Sequence, residues 1–371
     1  MSVKLKRLDL SGFKSIRVLD GFEPSSINVL IGANGSGKSN LISFFRLLSW
    51  MTAAPGNLQE HVAAMGGANA LLHDGAETTR ELEAAIALET EQGRNDYAFR
   101  LFYAAGDTLV FAEEKYRYSS FALNSQAAWS ELGAGHREAK LIEVAEQGDR
   151  TARVILSLLR KCIVFQFHNT SLTARMRGKW DVNDSRWLKE DGANLAPFLF
   201  RLREQETPYF RRILECTRLL LPFLADYELE PDKFGKILLQ WREKGSDAVF
   251  SASQASDGML RTMALLALLM QPENDLPGVL ILDEPELGLH PYAITVVCGL
   301  IRGVASNSQV TVATQSPAFV DQFAPEEIVV VDRVGRESRF RRLDRQELGD
   351  WLREYSVAEL WEKNVLGGRP A

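Results

Sequence analysis

Two stretches of this chain hold the residue types of phosphate chemistry at the spacing that chemistry needs. In INVLIGANGSGKSNLISFFRLLSW, Ile27–Trp50, Gly32, Gly37, Lys38 and Ser39 fit the G-x-x-x-x-G-K-[ST] spacing of a phosphate-binding loop. Glycines let successive backbone N–H groups turn inward onto phosphate oxygens, and a side chain at Gly35 or Gly37 is expected to obstruct that nest. A helix starting near Lys38 aims its positive end at the same oxygens. The Lys38 ammonium suits the β- and γ-phosphates, and the Ser39 hydroxyl suits Mg2+. Asn34, Gly35, Ser36, Gly37, Lys38, Ser39 and Asn40 are therefore the expected contacts of ATP and Mg2+, with Lys38 also serving catalysis.

The second stretch, VLILDEPE at Val279–Glu286, reads as a buried apolar strand ending in adjacent carboxylates. Acids at the carboxyl end of a parallel strand are expected beside a phosphate loop. Asp283 suits the Mg2+ shell, and Glu284 suits a base that polarises the attacking water. Ser256-Asp257-Gly258 stands before the apolar helix expected over Met259–Met270. Ser256 or Asp257 serves as its cap, and a serine, a glycine and a helix start also form an anion site. The two readings are compatible.

These residues need strands and helices to hold them. Lys4–Leu10 alternates as a strand closed by Ser11-Gly12, and Ile27–Ile31 delivers the loop. Ala53–Gly75 reads as loop with one short helix, broken at Pro55-Gly56 and Gly66-Gly67. Alternation at Leu82–Leu88, Tyr97–Tyr103 and Leu109–Phe111 predicts an antiparallel sheet. Helical periodicity follows over Arg150–Leu159, Leu195–Arg203 and Tyr209–Leu221, interrupted by an apolar strand at Cys162–Phe167. Ile237–Trp241, Ala248–Phe250, Val310–Ala313 and Ile328–Val331 read as further strands, and Glu347–Tyr355 with Val357–Trp361 as a short helical tail.

Composition narrows the class. The chain has 371 residues, 46% hydrophobic and 25% charged, which is ordinary for a globular protein with a sizeable core. No apolar run of about 18 residues is present, so no membrane span is expected. The alternating N-terminus reads as a strand and not as a signal peptide. Cys162, Cys216 and Cys298 form no C-x-x-C pair, and His61, His73, His136, His168 and His290 show no ligand spacing. A zinc site and a disulfide framework are thereby disfavoured, and a reducing cytoplasm is expected. The net charge of −6 gives no global drive toward nucleic acid. A local patch would have to supply it: Arg175, Arg177 and Lys179 with Trp180 and Trp187, or Arg339, Arg341, Arg342 and Arg345. Such runs are usually solvated faces.

Taken together, the phosphate loop, Ser256-Asp257-Gly258, Asp283-Glu284-Pro285 and Ala313-Thr314-Gln315-Ser316-Pro317 resemble the ABC-type ATPases of the SMC/RecF/OLD group. The opening LDLSGFKS at Leu8–Ser15 and EPELGLHP at Glu284–Pro291 are similar to that group as well. The resemblance covers roughly residues 1–50 and 250–335. It implies an α/β P-loop NTPase of ABC head type, with a mixed sheet, an antiparallel β lobe and a helical insertion. Its segments would be 1–126, 127–236 and 237–371. It also implies homodimers formed through the nucleotide, with Ser256 and Gly258 of one subunit on the γ-phosphate held by the other and Leu289-His290 in the interface loop. The family's switch histidine falls at Gln315, which hydrogen-bonds but carries no charge, so slow or partner-dependent turnover is expected. Gln166, in VFQFHN, is the candidate glutamine of the metal shell, with His168 as its rival. No coiled-coil arm and no nuclease segment is expected in this sequence. The implied function is ATP binding and hydrolysis driving head pairing, in DNA repair or defence against foreign DNA. The alternative is a nucleotide-gated scaffold that recruits a separate effector; a higher oligomer and DNA binding are compatible with either.

Overall fold

The strand bearing the phosphate loop, Ile27–Ile31, is buried at every position, as a central strand of a parallel sheet must be. In the computed structural model, which describes residues 3–123, 127–349 and 351–368, it lies inside a six-stranded sheet. The order is Glu337–Arg342, Ile328–Val334, Ile27–Ile31, Gln309–Ala313, Val279–Asp283 and Cys162–Phe165. Ile328–Val334 and Gln309–Ala313 flank the loop strand in parallel, with Val330 opposite Ile31 and Val312 opposite Val29. Parallel neighbours bring their carboxyl ends to one edge of the sheet. Gly32 and Gln315 both follow strand ends on that edge.

A second sheet is antiparallel: Ile16–Phe22, Lys4–Phe13, Glu81–Thr90, Gly93–Ala104, Thr108–Ser120 and Ser130–Gly133. The helix Lys38–Ala53 buries Leu41, Phe44, Leu47, Leu48 and Met51 in one apolar core shared with both sheets. Phe44 meets Phe13 edge to face, with ring centroids 5.9 Å apart. Apart from Phe165, Leu282 and Asp283 at the ends of two strands, these residues belong to one unit, Met1–Val164 with Pro277–Ile281 and Ser308–Ala371. A second unit, Phe165–Leu276 with Leu282–Asn307, packs the helices Leu195–Gln205, Thr207–Leu220, Asp257–Leu269 and Pro291–Val304 with a small antiparallel sheet.

The elements depart from expectation in four places. The first strand does not stop at Ser11-Gly12 but runs to Phe13, because Gly12 lets the backbone pass where a Cβ would lie 2.1 Å from Glu81 O. The turn falls at Lys14, with φ +48, and leads into the unexpected strand Ile16–Phe22. Ala53–Gly75 holds two helices, Asn57–Ala64 and Ala68–Leu71, instead of one. The strand expected at Ile237–Trp241 is split: Lys236–Ile237 pairs with Trp180–Asp181, and Gln240–Glu243 pairs with Leu224–Glu228. Finally, Glu337–Arg342 is an edge strand, where the arginines had suggested a charge run. The segment end expected at 126 and Asp350 of the expected tail lie outside the described residues.

Candidate functional site

In the first unit the expected loop is built as its spacing requires. Gly35 and Gly37 take φ of +77 and +114, the left-handed region that glycine adopts without strain. Their reasons differ. A Cβ at Gly37 would lie 1.9 Å from Ser338 Oγ, whereas a Cβ at Gly35 meets nothing within 4 Å. Gly35 thus has its backbone conformation as a local reason to be glycine, whereas Gly37 also has a close neighbour.

Lys38 opens the helix and is buried, its Nζ donating to Gly32 O at 2.5 Å and Ala33 O at 3.2 Å. These two carbonyls hold the ammonium against the loop that it is expected to serve. Ser36 Oγ is buried without a hydrogen-bond partner, and Ser39 is exposed in the first turn of the helix. An orphaned hydroxyl, an anchored ammonium and a helix N-terminus fit a polyphosphate with its metal. Asn40 has a supporting task. Its Nδ2 donates to Ser15 Oγ (2.6 Å), which lies 2.6 Å from Ser338 Oγ, which in turn donates to Ser36 O (2.5 Å). Ser15 was visible only as part of a resemblance, and Ser338 was missed. The alternation of Ser338, Phe340 and Arg342 with their neighbours was the signal that could have revealed it.

Gln315 is exposed directly after Gln309–Ala313, and Thr314 N donates to Leu30 O at 3.1 Å. With Gly32, Ala33, Asn34, Pro317 and Trp361 it lines a pocket of about 280 Å3. Gln315 and the first residues of the expected phosphate loop therefore face one cavity.

In the second unit the acids have company. Gln166 Nε2 donates to Asp283 Oδ2 at 3.0 Å and to His168 Nδ1 at 2.8 Å, while His168 Nε2 donates to Asp283 O at 2.9 Å. In that arrangement Nδ1 accepts and Nε2 donates. Both rivals contact Asp283, which is buried: Gln166 at its carboxylate and His168 at its backbone carbonyl. Glu284 is half-buried and sits at φ +42, a conformation costing a non-glycine residue about 1 kcal/mol or more. The strain falls on the residue expected to act on water.

Ser256 N-caps Asp257–Leu269, its Oγ accepting from Met259 N at 3.3 Å. The cap reading therefore holds, and the hydroxyl proton remains for another acceptor. Gly258 has a local reason to be glycine, since a Cβ there would lie 2.5 Å from Gly288 O. Arg261, which no sequence signal singled out, ties the region together. Its guanidinium donates to Phe167 O (3.1 Å), His168 O (3.0 Å), Thr170 Oγ1 (3.2 Å) and Leu287 O (3.2 Å). Leu287, Gly288 and His290 of the following loop are exposed.

Most members of the basic clusters have partners within the chain, while Arg175, Lys179 and Arg345 stay more than half exposed. Arg175 pairs with Asp191 at 3.1 Å and lies over the Trp180 ring, and Lys179 pairs with Asp232 at 2.9 Å. Arg177 is buried. Arg342 donates to Glu23 O, Ser25 Oγ, Asn28 Oδ1 and Glu326 O, and Arg345 pairs with Glu326.

A phosphate loop after an internal strand of a mixed sheet defines the P-loop NTPase fold, and the architecture is similar to that of SMC heads. Three solved structures are similar at 16% identity. An SMC head bound to the C-terminal winged-helix domain of ScpA matches with a TM-score of 0.61, over 93% of this chain and 98% of that one. An SMC head with extended coiled coil bound to the C-terminal domain of ScpA, from Pyrococcus furiosus, matches at 0.59 over 95% and 99%. The SMC head from Thermotoga maritima matches at 0.50 over 92% and 99%. No curated protein matches. The chain belongs to the family described as "AAA domain, putative AbiEii toxin, Type IV TA system", which matches residues 27–321. No helix among the described residues is long and apolar enough to cross a membrane.

Proposed function

We propose that this protein is a Mg2+-dependent ATPase whose two copies pair through bound nucleotide. Lys38 and the loop Asn34–Ser39 take the phosphates, and Asn40 braces that loop from behind. Ser39 and Asp283, with Gln166 on the Asp283 carboxylate, are the residues that would hold Mg2+. When bound, the metal would neutralise charge on the β- and γ-phosphates. Glu284 accepts the proton of the attacking water, and Gln315 donates to the γ-phosphate. Ser256 and Gly258 of the second copy close the site. The observation that carries this reading is Glu284, held at φ +42 directly after the buried strand Val279–Asp283.

Phosphate release from ATP by the purified chain tests it. Slow release that stops on chelating Mg2+ is the expected result; metal-independent release, or none with any partner, would sink the reading.

For the output, the ion pairs that already engage Arg175, Lys179 and Arg345 favour recruitment of a separate effector over direct grip on DNA. The related SMC heads solved with a ScpA domain bound support a partner that docks on the head. A role in DNA repair or in defence against foreign DNA remains within this proposal, reached through that effector. Replacing Arg175 and Lys179 together by Ala, with Arg177 left in place, should leave the salt dependence of any DNA binding unchanged. A slope of log affinity against log salt flattened by about 1 or more would restore direct contact.

A further inference from the structure

The proposed contact with the second copy's nucleotide contains an apparent contradiction. Asp257 is the first residue of the helix whose start is to meet a phosphate. A carboxylate there suits the helix dipole, yet it repels an anion brought to the same N–H groups. The fold answers with a cation. Arg177, whose side chain is 7% exposed, sends Nη2 to Asp257 Oδ1 at 3.2 Å. Its remaining donors go to Thr170 O at 2.9 Å, to Ala255 O at 3.1 Å and to Ala252 O.

Those three acceptors are uncharged carbonyls, so they satisfy the N–H groups without cancelling the charge. Asp257 is the carboxylate with which Arg177 forms an ion pair, and Asp257 pairs with no other cation among the described residues. Ala252 and Ala255 belong to the loop that delivers Ser256. A single guanidinium thus clamps the loop and offsets the aspartate.

We propose that Arg177 is a positioning residue that makes an aspartate compatible with phosphate binding at this helix start. It rests on the pairing reading above. The role has an electrostatic part and a structural part, and neutralising Asp257 separates them. An amide at 257 removes the repulsion but cannot refill the bonds to Thr170, Ala252 and Ala255.

The test uses the full chain carrying Glu284→Gln, which is expected to pair when ATP and Mg2+ are added. Light scattering gives the protein concentration at half pairing. Arg177→Met should raise that concentration by about 3- to 10-fold, because the Asp257 side chain is 60% exposed and solvent screens its charge. Adding Asp257→Asn should recover most of the loss, and Arg177→Lys, which keeps the charge, should lose less than Arg177→Met. If Arg177→Met does not fold, Asp257→Asn alone decides: pairing should tighten, because the cation is left unopposed. A double variant as weak as Arg177→Met, or an Asp257→Asn protein that pairs less well than its parent, overturns the proposal. A parent that never pairs overturns the pairing reading and this role with it. A pairing parent with an unrescued double variant overturns the role of Arg177 alone.

Discussion

Glu284→Gln should leave ATP and Mg2+ binding intact while hydrolysis falls by about 10²–10⁴-fold, the range for losing a general base. The amide is nearly isosteric with the carboxylate, so the chain at φ +42 keeps its conformation and only the proton acceptor is lost. Asp283 retains the bond from Gln166 and the bond from His168 to its carbonyl, so the proposed metal ligand is undisturbed. With hydrolysis blocked, ATP persists. The γ-phosphate then keeps joining one copy's Lys38 to the other's Ser256 and Gly258. The variant should therefore accumulate as an ATP-dependent pair of the 41.5 kDa chain, whereas the wild type passes through that state. Light scattering behind size exclusion, with and without ATP and Mg2+, reads the difference. Normal hydrolysis by the variant, or no ATP-dependent change in mass, would remove Glu284 and the pairing mechanism together.

Lys38→Ala should weaken ATP binding by about 10²–10³-fold, from losing two charge-assisted hydrogen bonds to phosphate. The structure adds a cost that the spacing alone did not show. Lys38 Nζ holds Gly32 O and Ala33 O, so alanine also removes a donor from Gly32 O, while Ala33 O keeps its bond from Ser36 N at 3.1 Å. That local loss should be about 1 kcal/mol and confined to the loop, because the apolar face of Lys38–Ala53 is packed by Leu41, Phe44 and Leu47. Titration with a fluorescent ATP analogue measures the affinity, and thermal melting followed by circular dichroism checks the fold. Unchanged affinity in a folded variant would take Lys38 out of the site. Loss of affinity with a collapsed melting transition would instead mark it as a structural lysine.

What the sequence determined by itself is the local geometry. Gly32 through Ser39, Asp283-Glu284 and Ser256 through Gly258 each sit within one turn, one strand end or one helix start. Their geometry follows from a few consecutive dihedrals and capping bonds, which residue spacing dictates directly. The helix Arg150–Leu159 and the strand Val279–Asp283 were legible for the same reason: periodicity and continuous burial are local patterns.

Tertiary structure decided which distant side chains serve those motifs. Gln166 and His168 converge on Asp283 across a sequence separation of 117 and 115 residues, so they are not alternatives but one arrangement. Ser15 and Ser338, separated by 323 residues, brace Asn40 and Ser36 only because the edge strand Glu337–Arg342 folds beside the loop. A basic residue such as Arg177 reads identically in sequence whether it faces solvent or a buried carbonyl. Burial and partner geometry, which arise from long-range packing, are what turn it from a surface charge into the clamp on Asp257.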